Sequence, residues 1–243
     1  MKTIVVAEIG SNWEGSLQKA KKLIKKCKNA GTDSVKFQMW RANDLYSNKH
    51  PYWNSIKKSE ITPNIATKLK KIADDESIGF FCSAFYPEAV DHLESIGVKK
   101  YKVASRTCLL KDPHSKETLV RKAMTKKPII ISMGMGGNKN TIQKIFANNK
   151  ITFCYCISEY PLPYEKINWN EAIKYDGFSD HTLGITAPIV YTVLKKSQGK
   201  KEIIIEKHVK LKESKSPDAP ASITTEHLSE LISHIRLIEK SKL

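Results

Sequence analysis

"TIVVAEI" occupies residues 3–9 of a 243-residue chain, and its surroundings decide the fold. The apolar run is far too short to span a bilayer and is broken by Glu8, with no small-residue cleavage pattern after it. It therefore reads as a strand and not as a leader peptide. No GxGxxG turn follows it, which argues against a dinucleotide-binding doubly wound sheet. Similar short runs rich in Val, Ile and Phe recur: "SVKFQM" 34–39, "GFFCSA" 79–84, "YKVAS" 101–105, "PIIISMG" 128–134, "ITFCYC" 151–156, "GFSDH" 177–181 and "EIIIEKH" 202–208. Between most of them the apolar residues fall at helical spacing. Ser16 caps a first helix with Leu17, Ala20, Leu23, Ile24 and Cys27 on one face, ended near Gly31. Leu228, Leu231, Ile232, Ile235 and Ile238 form the last. Helical segments also fit near 65–75, 87–96, 116–125, 139–148, 168–174 and 187–197, the sixth helix and the seventh strand being short. Eight strand–helix units in a chain of this length predict an α/β fold, a single-domain (β/α)8 TIM barrel over residues 1–243.

Composition narrows the partners. The formal net charge is +16, yet only four of the 41 basic residues are arginine, and the lysines are spread along helix faces without interleaved aromatics. That pattern reads as a solvated surface and not as a nucleic-acid or membrane site, though it would draw in an anionic substrate. The five cysteines form no CxxC pair, and Cys82 and Cys154 lie inside apolar runs. Free thiols in an odd number fit a reducing, cytoplasmic compartment.

A barrel puts its chemistry at the C-terminal ends of its strands. Those ends carry Glu8; Lys36 and Gln38; Ser83; Lys102 and Ser105; Ser132; Ser158 and Tyr160; Ser179 and His181; Glu206 and His208. The spacing of two in Lys36/Gln38, Ser179/His181 and Glu206/His208 puts each pair on one strand face. A single serine there has no special meaning. Glu8, Lys36, Lys102, Glu206 and His208 within apolar runs do, because five unpaired buried polar groups would prevent folding. They read as one connected site. Two lysines and several hydroxyls suit a small phosphorylated carboxylate. His181 and His208, from adjacent strands, can share a divalent metal with open positions, and Glu8 can accept or position a proton. An aldol-like condensation, phosphate hydrolysis and isomerisation all remain compatible with these residue types.

The segments "AEIGSNWEGS" 7–16, "VKFQ" 35–38, "YKVAS" 101–105, "IISMGM" 130–135, "CISEYPLPYE" 156–165, "GFSDHTLG" 177–184, "IEKH" 205–208 and "SPDAPAS" 216–222 resemble the N-acetylneuraminate (sialic acid) synthase family, in the family's order and over nearly the whole chain. The resemblance implies condensation of phosphoenolpyruvate with a sugar or amino-sugar aldehyde to give a sialic-acid-like α-keto acid. It implies Mn2+, or another divalent ion such as Mg2+ or Co2+, held by His181 and His208. Glu8 would handle the attacking water or its proton. Lys36 and Lys102 would hold phosphoenolpyruvate, with Ser83, Ser105, Ser132, Ser158 and Ser179 around it. Gln38, Tyr160, Glu206 and Asp218 would contact the sugar. Asp180 would orient or buttress the groups beside it in catalysis, and Thr182 would cap the segment after it.

The chain departs from the family pattern in three places. Trp13 stands where a histidine is usual. Arg106 and Thr107 follow "KVAS" where the family has a small or aromatic residue and an acid, and Arg106 there would recruit an acidic or phosphorylated acceptor. A C-terminal antifreeze-like domain, which in the family reaches across a homodimer, is expected to be missing, so its acceptor contact is lost or comes from a separate antifreeze-like protein. A related barrel enzyme with a different acceptor, and a non-catalytic basic binding protein, are the competing readings; the full set of polar residues argues against the second.

Overall fold

The first strand, β1 (Lys2–Glu8), pairs in parallel with both β2 (Ser34–Met39) and β8 (Glu202–Lys210), and that double pairing closes the sheet. The computed structural model describes residues 1–242. Between these strands run β3 (Gly79–Ala84), β4 (Tyr101–Val103), β5 (Ile129–Ser132), β6 (Ile151–Cys156) and β7 (Gly177–Asp180), each parallel to its neighbours in chain order. A two-residue strand, β9 (Ile223–Thr224), pairs in parallel with the end of β8. The predicted (β/α)8 barrel is therefore the observed architecture, and every expected strand lies within two residues or so of its place.

The helices are α1 (Leu17–Asn29), α2 (Ala42–Leu45), α3 (Trp53–Lys58), α4 (Pro63–Asp75), α5 (Pro87–Ser95), α6 (Ser115–Met124), α7 (Lys139–Ile145), α8 (Trp169–Ala172), α9 (Thr186–Ser197) and α10 (Thr225–Lys240). Ser16 accepts the Lys19 amide and starts α1, as its position predicts, and Ala20, Leu23, Ile24 and Cys27 are its buried face. Thr62 and Thr224 start α4 and α10 in the same way. The short pair α2 and α3 has no counterpart in the sequence pattern: residues 40–58 read as a connection, because each helix is too brief to show a period.

Two cores result. The larger fills the space between strands and helices and includes Val5, Ala7, Val35, Phe37, Ile129, Ile131, Leu228 and Leu231. The smaller, Val6, Phe81, Ile130, Cys154 and Ile204, plugs the barrel itself. This plug closes the lower barrel, so the polar strand ends above it open in one direction only. Among the described residues no helix is long and apolar enough to cross a membrane.

Candidate active site

Strand register assembles the polar residues. Glu8 lies opposite Lys36 on one side and His208 on the other. Ser83 lies opposite Lys102, and Ser179 opposite Glu206. Alternation then turns these side chains inward above the apolar plug. The cavity over them holds about 430 Å3, within the range of small-molecule sites.

The floor is a buried network of two lysines and two carboxylates. Lys36 pairs with Glu8 and, at 3.4 Å, with Glu206. Lys102 donates to Glu206 Oε1 and to Ser132 Oγ, both at 2.9 Å. Ser179 Oγ donates to the same Glu206 oxygen at 2.8 Å, and Gln38 Nε2 donates to Glu8 at 3.0 Å. Burial alone would push the Lys102 ammonium down, but the Glu206 carboxylate outweighs it, so Lys102 sits above the usual lysine range. Burial would likewise raise Glu206, and the ammoniums of Lys102 and Lys36 overcome it and hold the carboxyl far below the ordinary range. Lys102 and Glu206 thus stay ionised and offset one another. Glu206, expected at the sugar, lines the cavity and is also the counter-ion shared by both lysines.

His181 and His208 stand above this floor with ring centroids 5.5 Å apart. His181 Nδ1 lies 2.7 Å from the Ile157 carbonyl. A carbonyl only accepts, so Nδ1 carries the proton and Nε2 keeps its lone pair. Burial, reinforced by neighbouring His208, pushes His181 down to about 3, so its imidazole is neutral. His208 Nδ1 is buried without a hydrogen-bond partner. Two imidazoles of this kind fit a divalent ion, with the Ile157 carbonyl fixing one ring. Among the described residues no group of three or more His, Cys, Asp or Glu is placed to hold a metal, so this pair would leave the remaining positions to water and substrate. Tyr160 covers the pair, its ring 4.1 Å from that of His181 and 5.8 Å from that of His208, and remains 47% exposed.

The remaining candidates divide. Ser105 Oγ accepts the Gly134 amide at 2.9 Å, and it and Ser158 line the cavity. Asp218 also lines it, held at its Oδ2 by the amide and hydroxyl of Ser11, both at 2.7 Å. Gly10, at φ +50°, makes room for that carboxylate, since a Cβ there would lie 2.4 Å from Asp218 Oδ2. Asp180 does not reach the cavity. Its carboxylate lies on the outer face of β7, accepting from Thr182 N at 2.8 Å and from Lys207 Nζ at 2.6 Å. The alternation that turns Ser179 and His181 inward turns Asp180 outward, so it braces the turn and cannot touch substrate. Arg106 reaches the mouth, but its Nε lies 2.8 Å from an Asp112 carboxylate oxygen and its Nη2 2.6 Å from the Leu45 carbonyl. Its charge is therefore already offset. Trp13, where a histidine is usual in the family, is buried.

Sequence reading missed the apolar wall. Trp40, Tyr46, Phe85 and Met135 line one side of the cavity, with Cys156 at the end of β6. The first two belong to the connection after β2, whose crowding of aromatics in "WRANDLYSNKHPYW" 40–53 was the available signal.

The model of the NeuB family matches residues 23–242. An uncharacterized protein of Methanocaldococcus jannaschii is 35% identical over 98% of this chain and 71% of its own length. An N,N'-diacetyllegionaminic acid synthase of Campylobacter jejuni is 32% identical over 99% and 77%. A crystal structure of the N-acetylneuraminic acid (sialic acid) synthetase of Leptospira borgpetersenii superposes with a TM-score of 0.87 at 24% identity, covering 99% of this chain and 85% of that one.

Proposed function

The chain belongs to the NeuB family, and from that premise we propose that it is a transferase that forms a carbon–carbon bond from phosphoenolpyruvate. Its second substrate is a sugar or amino-sugar aldehyde, and its product a sialic-acid-like α-keto acid. The observation that carries this reading is the pair of buried ammoniums, Lys36 and Lys102, ringed by Ser83, Ser132 and Ser179 beneath an open cavity. A phosphorylated carboxylate has the charge and the acceptor atoms to replace the carboxylates on those lysines.

The bond changes balance. C3 of phosphoenolpyruvate attacks the aldehyde carbon and the aldehyde oxygen becomes a hydroxyl. Water adds at C2, and phosphate leaves from the resulting carbon to give the keto group. Once the anion occupies Lys36 and Lys102, the Glu8 carboxylate is released from Lys36 and can accept the proton of that water. His181 and His208 would hold Mn2+, Mg2+ or Co2+, and such an ion supplies polarisation of the acceptor's carbonyl when bound. Gln38, Tyr160 and Asp218 face the acceptor. With Arg106 offset by Asp112, an uncharged sugar is the better match than an acidic one.

Calorimetry with phosphoenolpyruvate on wild type and Lys102→Met tests the assignment. Loss of one charge-assisted contact should weaken binding about ten- to a hundredfold. Unaltered affinity would remove the anion site from these lysines. Phosphate release with a panel of aldehyde sugars then identifies the acceptor.

A further inference from the structure

The barrel seam with the fewest paired positions lies beside the residue on which the anion site depends. β4 spans only three residues, and its seam with β3 has a single paired position, Ser83 opposite Lys102. The other seams around the eight-stranded barrel have three to seven, for instance seven between β1 and β8. Lys102 must nevertheless point its ammonium at Glu206 and Ser132 within hydrogen-bond distance.

Lys122 lies directly outside that seam. It projects from α6 and is fully buried. Its Nζ donates to the Lys102 carbonyl and to the Ala84 carbonyl, each at 2.9 Å. One carbonyl belongs to β4 and the other to the end of β3. No carboxylate bonds or ion-pairs with its Nζ among the described residues. A buried lysine without a carboxylate is costly, and two well-aligned acceptors explain why the site is polar at all. Charge is not needed for this function: an uncharged amine keeps two N–H groups, one for each carbonyl.

We propose that Lys122 is a positioning residue, a brace across the β3–β4 seam that fixes the backbone of Lys102 and thereby aims its ammonium into the anion site. Lys122 touches no substrate; it acts through the Lys102 carbonyl. A small misplacement of a binding group costs far more than its distance suggests, because the contact is directional.

The inference rests on the reading of Lys102 as an anion-binding residue, and two measurements keep the ideas apart. The first is backbone hydrogen exchange in peptides from β4 and from β7–β8. Lys122→Met should speed exchange at Tyr101–Val103 by about tenfold and leave β7–β8 unchanged; uniform acceleration would mean global destabilisation and overturn the brace. The second is phosphoenolpyruvate affinity in a double-mutant cycle. Lys122→Met should weaken binding about tenfold in wild type but less than twofold in a Lys102→Met background. Equal losses in both backgrounds, or no loss in wild type, would overturn the proposal. If wild type bound no phosphoenolpyruvate, the anion site would fall and exchange at β4 would still decide the brace. Lys122→Gln, which keeps a donor, serves if the methionine variant does not fold.

Discussion

Two sets of buried lysines meet opposite fates in this barrel. Lys36 and Lys102 lie inside it and face Glu8 and Glu206, and the Glu206 carboxylate keeps the proton on Lys102. Lys122 lies between barrel and helices, is as deeply buried, and faces only carbonyls. Burial pushes it down to about 7; Cys108, and more weakly Cys82, oppose this, while Lys102 and Lys36 on the far side of the sheet add to it. The comparison teaches that depth does not decide the charge of a lysine; the partner does. A carboxylate keeps the proton on, whereas a carbonyl offers a hydrogen bond with too little negative charge to offset lost hydration.

The largest test removes one member of the inner set. Lys102→Met should cost about 3–5 kcal/mol of stability, because Glu206 stays buried with only Lys36 and Ser179 against it. Urea unfolding measures this. Adding Glu206→Gln should recover much of the loss, and a double variant as unstable as the single would break the comparison.

A smaller effect belongs to Lys122. Its value in the fold, about 7, lies below the ordinary lysine value of 10.5. Between these limits the unfolded chain binds a proton that the folded chain does not, so its contribution to stability rises with pH across that window. Below about pH 7 both states are protonated and the penalty is constant, on the order of a few kcal/mol. Unfolding midpoints of wild type and Lys122→Met, compared from pH 7 to 9.5, should diverge with this slope. Parallel curves would show that the carbonyls keep Lys122 charged after all.

The smallest effect sits at the surface. The Arg106 and Asp112 side chains are partly exposed, so Arg106→Ala should lose under about 1 kcal/mol. The relative turnover of neutral and anionic sugars should not change. A selective loss of anionic acceptors would show that Arg106 leaves Asp112 for substrate.

Most of the barrel was legible because each strand is a short run rich in Val, Ile or Phe and each long helix repeats its apolar face. The pair α2 and α3 escaped because each spans under two turns. Within the site, Lys36, Lys102, His181 and His208 were legible as ionisable residues in apolar runs, where only a partner makes burial tolerable. Asp180 misleads because it is adjacent in sequence to two inward residues, and adjacency in a strand means the opposite face. Lys122 gave no signal, since a lysine in a mixed helix looks solvated until the packing is known.

The sequence by itself therefore determined the eight-fold alternation and the polar strand ends, since these come from local spacing along one chain. Only the tertiary structure decided which charge meets which: Glu206 between two lysines, Asp180 against Lys207, Arg106 on Asp112 and Lys122 on the Lys102 carbonyl. The reason is physical. Periodicity fixes a face, but a charge pair is settled by register and helix packing between residues far apart in the chain, and by the loss of water that makes each wrong pairing expensive.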